Sequence, residues 1–118
     1  MTDSDAVATV ETSLRLGDGL SPADLESVVA HFGSLDHRLR SFRPNAVELY
    51  LHIKERDTPS QRATLEAHID GFPKLVATST HVDYDDALIE VRDDMIRQIT
   101  DAKSRREPNH NRRLRDKG

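Results

Sequence analysis

The sequence predicts an α+β fold: a two-layer sandwich in which two helices cover one face of a four-stranded sheet, in the order β-α-β-β-β-α. Three observations lead there. Ala46 to Glu55 alternates without a break, Val47, Leu49, Leu51 and Ile53 on one side and Glu48, Tyr50, His52 and Lys54 on the other. Two shorter alternating runs, Ala63–Ile69 and Lys74–Ser79, are joined by Asp70-Gly71-Phe72-Pro73, a turn sequence. Two other stretches repeat their apolar residues at the helical period, and an apolar stripe of that kind has to be buried against a second layer.

Taken in order, residues 1–7 lack any periodicity and read as a disordered N-terminus. Val7 to Leu16 alternates loosely through Val10, Thr12, Leu14 and Leu16 and is expected to be the first strand, ended by Gly17-Asp18-Gly19. The first helix has a full start signal. Ser21 is placed as N-cap, Pro22 lies in the first turn, Asp24 takes the capping-box position, and Leu20 and Leu25 have the spacing of a hydrophobic staple. Leu25, Val28, Val29, Phe32, Leu35 and Leu39 then form one stripe, so a single helix is expected to end near Arg40. Pro44-Asn45 separates it from the strand at Ala46 to Glu55, whose alternation implies an antiparallel sheet with one covered and one wetter face. Arg56 to Gln61 is a loop, and the hairpin follows. The last helix buries Leu88, Val91, Met95 and Ile99, opens acidic with Asp83, Asp85 and Asp86, and closes basic with Lys103, Arg105 and Arg106, charges that suit its dipole. It is expected to fray near Glu107-Pro108.

At 118 residues the chain is long enough for one domain, expected over residues 8–107, with a basic flexible tail over 108–118. With 36% hydrophobic and 32% charged residues, little apolar surface remains for a deep pocket, and no small-molecule substrate is expected. Cysteine is absent, which removes disulfides, thiolate catalysis and Cys-ligated zinc. No apolar run approaches the roughly 18 residues of a membrane span, and Met1-Thr2-Asp3-Ser4-Asp5 lacks the basic start of a signal peptide, so a cytoplasmic protein without a membrane partner is expected.

Charge is unevenly distributed. Residues 1–102 hold 10 Lys/Arg against 19 Asp/Glu, a net of −9, whereas residues 103–118 hold 7 against 2, a net of +5. A basic end on an acidic body is a common electrostatic anchor for an anionic partner; a merely solvated tail has the same composition. Other chemistry is thin. The six histidines form no His-x-x-x-His or His-Glu-x-x-His spacing, so no metal and no cofactor is expected. His52 and His68 both fall on the wetter sheet face, as candidate cross-strand neighbours. Gly17-Asp18-Gly19 lacks the spacing of a phosphate loop, and no Gly-x-Ser-x-Gly elbow occurs.

The β-α-β-β-β-α order, the strand Arg62-Ala-Thr-Leu-Glu66 and the closing run from Asp83 to Ile99 resemble the ribosome hibernation-promoting factor family, which includes ribosome-associated inhibitor A. That family's last helix repeats an apolar-x-x-apolar-x-Asp-x-apolar-x-Arg-Gln-apolar pattern, and Leu88, Val91, Asp93, Met95, Arg97, Gln98 and Ile99 occupy its positions. Val28 to Glu55 follows the family's helix–Phe–strand arrangement more loosely, and the likeness spans about residues 8–106. The last four elements also resemble a double-stranded RNA-binding domain, which reads RNA through shape and phosphates. The resemblance implies a non-enzymatic translation inhibitor of the short class. Such a protein is a monomer off the ribosome that binds the small subunit and its rRNA in the decoding channel and blocks mRNA and tRNA under stress. It directs attention to the basic residues as RNA contacts: Arg97, Lys103, Arg105 and Arg106 on the last helix, Arg112, Arg113 and Arg115 in the tail, Lys54, Arg56 and Arg62 around the second loop, and Arg38, Arg40 and Arg43 at the end of the first helix. Two other classes stay open on the residues alone: a protein-interaction module using the open sheet face or an edge strand, and a small enzyme or metal-binding domain.

Overall fold

The alternating run after Pro44-Asn45 forms β2 (Val47–Lys54), and its four apolar residues are buried while Glu48 and Lys54 are exposed. This strand pairs antiparallel with β3 (Arg62–Ile69), which pairs antiparallel with β4 (Leu75–Ser79). On its other side β2 pairs with β1 (Leu14–Leu16), in parallel, so the sheet is mixed, in the order β1-β2-β3-β4, rather than antiparallel throughout. The connection dictates this. A helix sits between β1 and β2, and a crossover to the neighbouring strand brings the chain back in the same direction. The computed structural model describes residues 7–106. The expectations for residues 1–6, for fraying at Glu107-Pro108 and for the tail at 108–118 lie outside them; Val7 is exposed.

The first strand is shorter than its alternation implied. Val10–Ser13 is instead a single helical turn, α1. Thr9 and Thr12 cap one another: the Thr9 hydroxyl accepts the Thr12 amide at 3.2 Å and the Thr12 hydroxyl accepts the Thr9 amide at 3.3 Å. The Val10 amide donates to Asp36 Oδ1 at 2.7 Å. These local and long-range acceptors take up the backbone donors that a strand would have given to β2.

The first helix is also divided. Ser21 and Asp24 form the expected reciprocal cap, the Asp24 carboxylate accepting the Ser21 amide at 2.9 Å, but the turn Pro22–Asp24 is a 3₁₀ turn. It leads into α2 (Leu25–His31), and after Phe32 the chain resumes as α3 (Gly33–Leu39). Phe32 has φ −97° and ψ 19°, and its amide is shared between the Val28 and Val29 carbonyls at 2.9 and 3.2 Å. The stripe survives this bend: Val28, Phe32, Leu35 and Leu39 are all buried.

The last helix, α4 (Tyr84–Arg106), starts on an Asp83 cap whose carboxylate accepts the Asp86 amide at 3.0 Å. It buries Leu88, Val91, Met95 and Ile99 against β3 and β4, with Ala87 and Ala102 extending the stripe. α2 and α3 pack beside α4, so all the helices lie on one face and the result is the two-layer sandwich. Gln98 of α4 reaches the outer edge of β4 and donates to the Val76 carbonyl at 2.7 Å, which blunts that edge against pairing with another strand.

Candidate nucleic-acid interface

The thirteen cationic candidates fall into four situations. Arg38, Arg40 and Arg43 lie exposed at and beyond the end of α3. Lys103 on the last turns of α4 crosses to the same place, donating to the Ser41 hydroxyl at 2.8 Å with its ammonium 5.7 Å from the Phe42 ring centroid. His37, Arg38, Ser41, Thr100, Lys103 and Ser104 line an open groove of about 250 Å³. Ser41 and Lys103, 62 residues apart in sequence, thus meet through packing of α3 on α4. Both helices bring their C-terminal, negative dipole ends there, which stabilises cations locally. Arg105 is exposed on the same final turn. Arg106 closes α4, and Arg112, Arg113 and Arg115 lie outside the described residues.

Lys54 and Arg62 form a second group at the far end of the molecule, on the open face of the sheet, directly opposite one another in the β2–β3 register. The remaining two are engaged within the protein. Arg97 pairs with Asp94 at 2.9 Å. Arg56 is tied more thoroughly. It donates to Asp24 Oδ2 at 3.0 Å, to Asp24 Oδ1 at 3.3 Å and to the Gly19 carbonyl at 2.8 Å, and its guanidinium lies 4.5 Å from the Tyr84 ring centroid. Those hydrogen bonds, with that of the Ser21 amide, hold the Asp24 carboxyl below the usual carboxylate range. A guanidinium clamped this way is structural, and it locks the β1–α2, β2–β3 and β4–α4 connections together at one end of the sheet.

Gln61 completes that lock and was invisible to charge or periodicity. It is buried, donates to the His81 and Val82 carbonyls at 2.8 and 2.9 Å, and accepts the Asp57 amide at 3.0 Å. Glu55 and Asp57, with φ of 55° and 70°, bend the loop around it. A further groove of about 470 Å³ runs beside β1, with Arg15, Asn45, Glu48, His68 and Asp70 in its walls. Its charges are of both signs, and Arg15 pairs with Glu48 across it.

Three of the histidines lie beside separate carboxylates, His31 by Asp85 at 3.1 Å, His68 by Glu66 at 3.6 Å and His81 by Glu90 at 3.4 Å. His52 and His68 are not cross-strand neighbours: the register sets His52 opposite Thr64 and His68 opposite Glu48. The length of the loop between β2 and β3 decides this, and periodicity alone does not report it. Among the described residues no three His, Asp or Glu side chains converge as a metal would require. No helix among them is long and apolar enough to cross a membrane.

Phosphate binding needs cations without internal carboxylate partners, and the groove between α3 and α4 has them beside three hydroxyls, from Ser41, Thr100 and Ser104. The opposite end, where Asp83, Asp85 and Asp86 open α4, is acidic. A double-stranded RNA-binding mode that sets the N-terminus of the last helix on phosphates is therefore electrostatically unfavourable here. The protein-family models and the curated proteins contain no match to this chain.

Proposed function

We propose that this protein is a cytoplasmic ribosome-associated translation silencer that binds rRNA of the small subunit in the decoding channel and excludes mRNA and tRNA. The observation that supports this reading most is the meeting of Arg38 and Lys103, with Ser41, Thr100 and Ser104, at the end of the molecule from which the basic tail departs. The element order and the Leu88-to-Ile99 pattern agree with the family resemblance. Binding runs through phosphates: the cations set affinity and the rigid sandwich sets fit to the channel.

The test is co-sedimentation of the purified protein with ribosomal subunits across a salt series, paired with cell-free translation. The expected result is binding to the small subunit that weakens steeply with salt, together with loss of translation. Neutralising Arg38, Lys103 and Arg105 to Gln should lower the salt slope by roughly one unit for each phosphate no longer neutralised. Absence of co-sedimentation at low salt, with folded protein in excess, overturns the reading.

A protein-interaction module is the second reading, favoured by the outer edge of β1. Gln98 blunts β4, whereas β1 lies beside the 470 Å³ polar groove. Strand addition there would depend little on salt, which separates it from the first reading.

A further inference from the structure

The open face of the sheet is divided by charge. Toward the β3–β4 turn its acids have cationic partners: Glu48 pairs with Arg15 at 2.6 Å and Glu66 with Lys74 at 3.8 Å. Toward the β2–β3 loop the opposite holds. Lys54 and Arg62 are both exposed and stand directly across from each other, an arrangement that costs stability in an antiparallel pair. Neither has a carboxylate partner among the described residues. The nearby loop acids offer no relief, since Glu55 and Asp57 form no ion pair with them.

One step along the same face, about 7 Å from the cation pair, the register places His52 opposite Thr64, and one step further Tyr50 opposite Glu66. The rings of Tyr50 and His52 lie 5.2 Å apart and 37° from parallel, both half-buried. The phenol end of Tyr50 sits against Gly17, which has room for it because it has no side chain: a Cβ at that position would run into the ring. The face therefore presents a two-cation anion site and, one step along, the Thr64 hydroxyl beside the His52 ring, with the Tyr50 ring beyond it.

We propose that this face binds an unpaired nucleotide within a single strand of RNA, its phosphate between Lys54 and Arg62 and its base stacked on His52 and Tyr50. The assignment rests on RNA being the partner. A strand is favoured over a free nucleotide because the surface is open, so affinity must come from several neighbouring phosphates rather than enclosure. The site is on the opposite face and at the opposite end from the Arg38–Lys103 groove, and both can be occupied at once.

The chain has two tyrosines and no tryptophan, so tyrosine emission reports stacking directly. The full chain is titrated with a single-stranded hexa-adenylate at low salt, and with AMP as a control. The expected result is quenching by the hexamer at concentrations where AMP is inert. Lys54→Gln with Arg62→Gln should flatten the salt dependence by about 0.7 units, the share of the one phosphate held between them. His52→Ala should weaken binding roughly 5- to 100-fold with the salt slope unchanged. All variants alter exposed or half-buried positions, and circular dichroism verifies folding. Equal binding of AMP, or binding unchanged in both variants, overturns the proposal. If the parent chain sediments with ribosomes but ignores the hexamer, this site is wrong and the ribosome reading stands. Hexamer binding abolished in the double variant, without any ribosome binding by the parent, leaves the site standing and removes the ribosome.

Discussion

Arg56 shows how far one side chain can reach in a domain of this size. Its two terminal nitrogens match the Asp24 carboxylate and one of them, Nη1, also donates to the Gly19 carbonyl, while the Tyr84 ring covers its face. Arg56→Ala should lower stability by about 2–3 kcal/mol in urea unfolding, because it leaves Asp24 and a backbone carbonyl without their partner. Asp24→Asn tests the pair through pH. The folded carboxyl titrates below its unfolded value of about 3.9, so its contribution is fully present above that pH and disappears as pH falls through the folded value. The difference between parent and Asp24→Asn, about 1–2 kcal/mol near pH 7, should therefore shrink in unfolding measurements taken below about pH 4. Gly19 supports the same corner. Its φ is +81°, and a Cβ would meet the Ile53 carbonyl, so Gly19→Ala has no compensating movement available.

Among the elements, the bend between α2 and α3 and the brevity of β1 have different causes. Gly33 follows the bend but does not require it, since its φ is not positive and a Cβ there meets nothing within 4 Å. The bend comes instead from the shared hydrogen bond at the Phe32 amide, which keeps the Phe32 ring buried while α3 turns to pack on α4. Gly33→Ala should then stabilise the protein by about 0.4–1 kcal/mol through the unfolded chain, seen as a Tm rise of about 2–6 °C. A fall in Tm would mean that the glycine is needed for the bend. β1 is short because Thr9, Thr12 and Asp36 capture the backbone ahead of it. The ladder itself runs on past the strand through the Gly17 amide to Leu51 and the Ile53 amide to Asp18, both at 2.8 Å.

At the scale of the molecule, charge is polarised along α4, acidic where it begins and basic where it ends, on a chain with a net of −4. Under the proposed function, such a dipole would turn the helix face of the Lys103 end toward a polyanion and its acidic start away, an effect that salt removes and that leaves the cations on the opposite, open face of the sheet free to act on their own. Among the described residues the apolar stripe of α4 ends at Ala102. Truncation after Glu107 should leave Tm nearly unchanged and, under the proposed function, weaken co-sedimentation with ribosomes. A fall of more than about 5 °C, roughly 1 kcal/mol for this size, would show that the tail packs on the body.

The α+β class, β2, the hairpin and both apolar stripes were legible in the sequence because each rests on local periodicity, and burial follows periodicity once a second layer is present. Ser21 and Asp24 were likewise readable as a cap, since that signal spans four residues. Val10–Ser13 misled for the opposite reason: its alternation was overridden by Asp36, 26 residues away from Val10. Only the tertiary structure separates Arg56, clamped inside the fold, from Lys54 and Arg62, exposed on the sheet, although all three lie in one basic cluster of sequence. The meeting of Arg38 with Lys103 and the alignment of Lys54, His52 and Tyr50 with Arg62 and Thr64 were also decided there. Helix packing and strand register join residues across distances over which composition and periodicity contain no information.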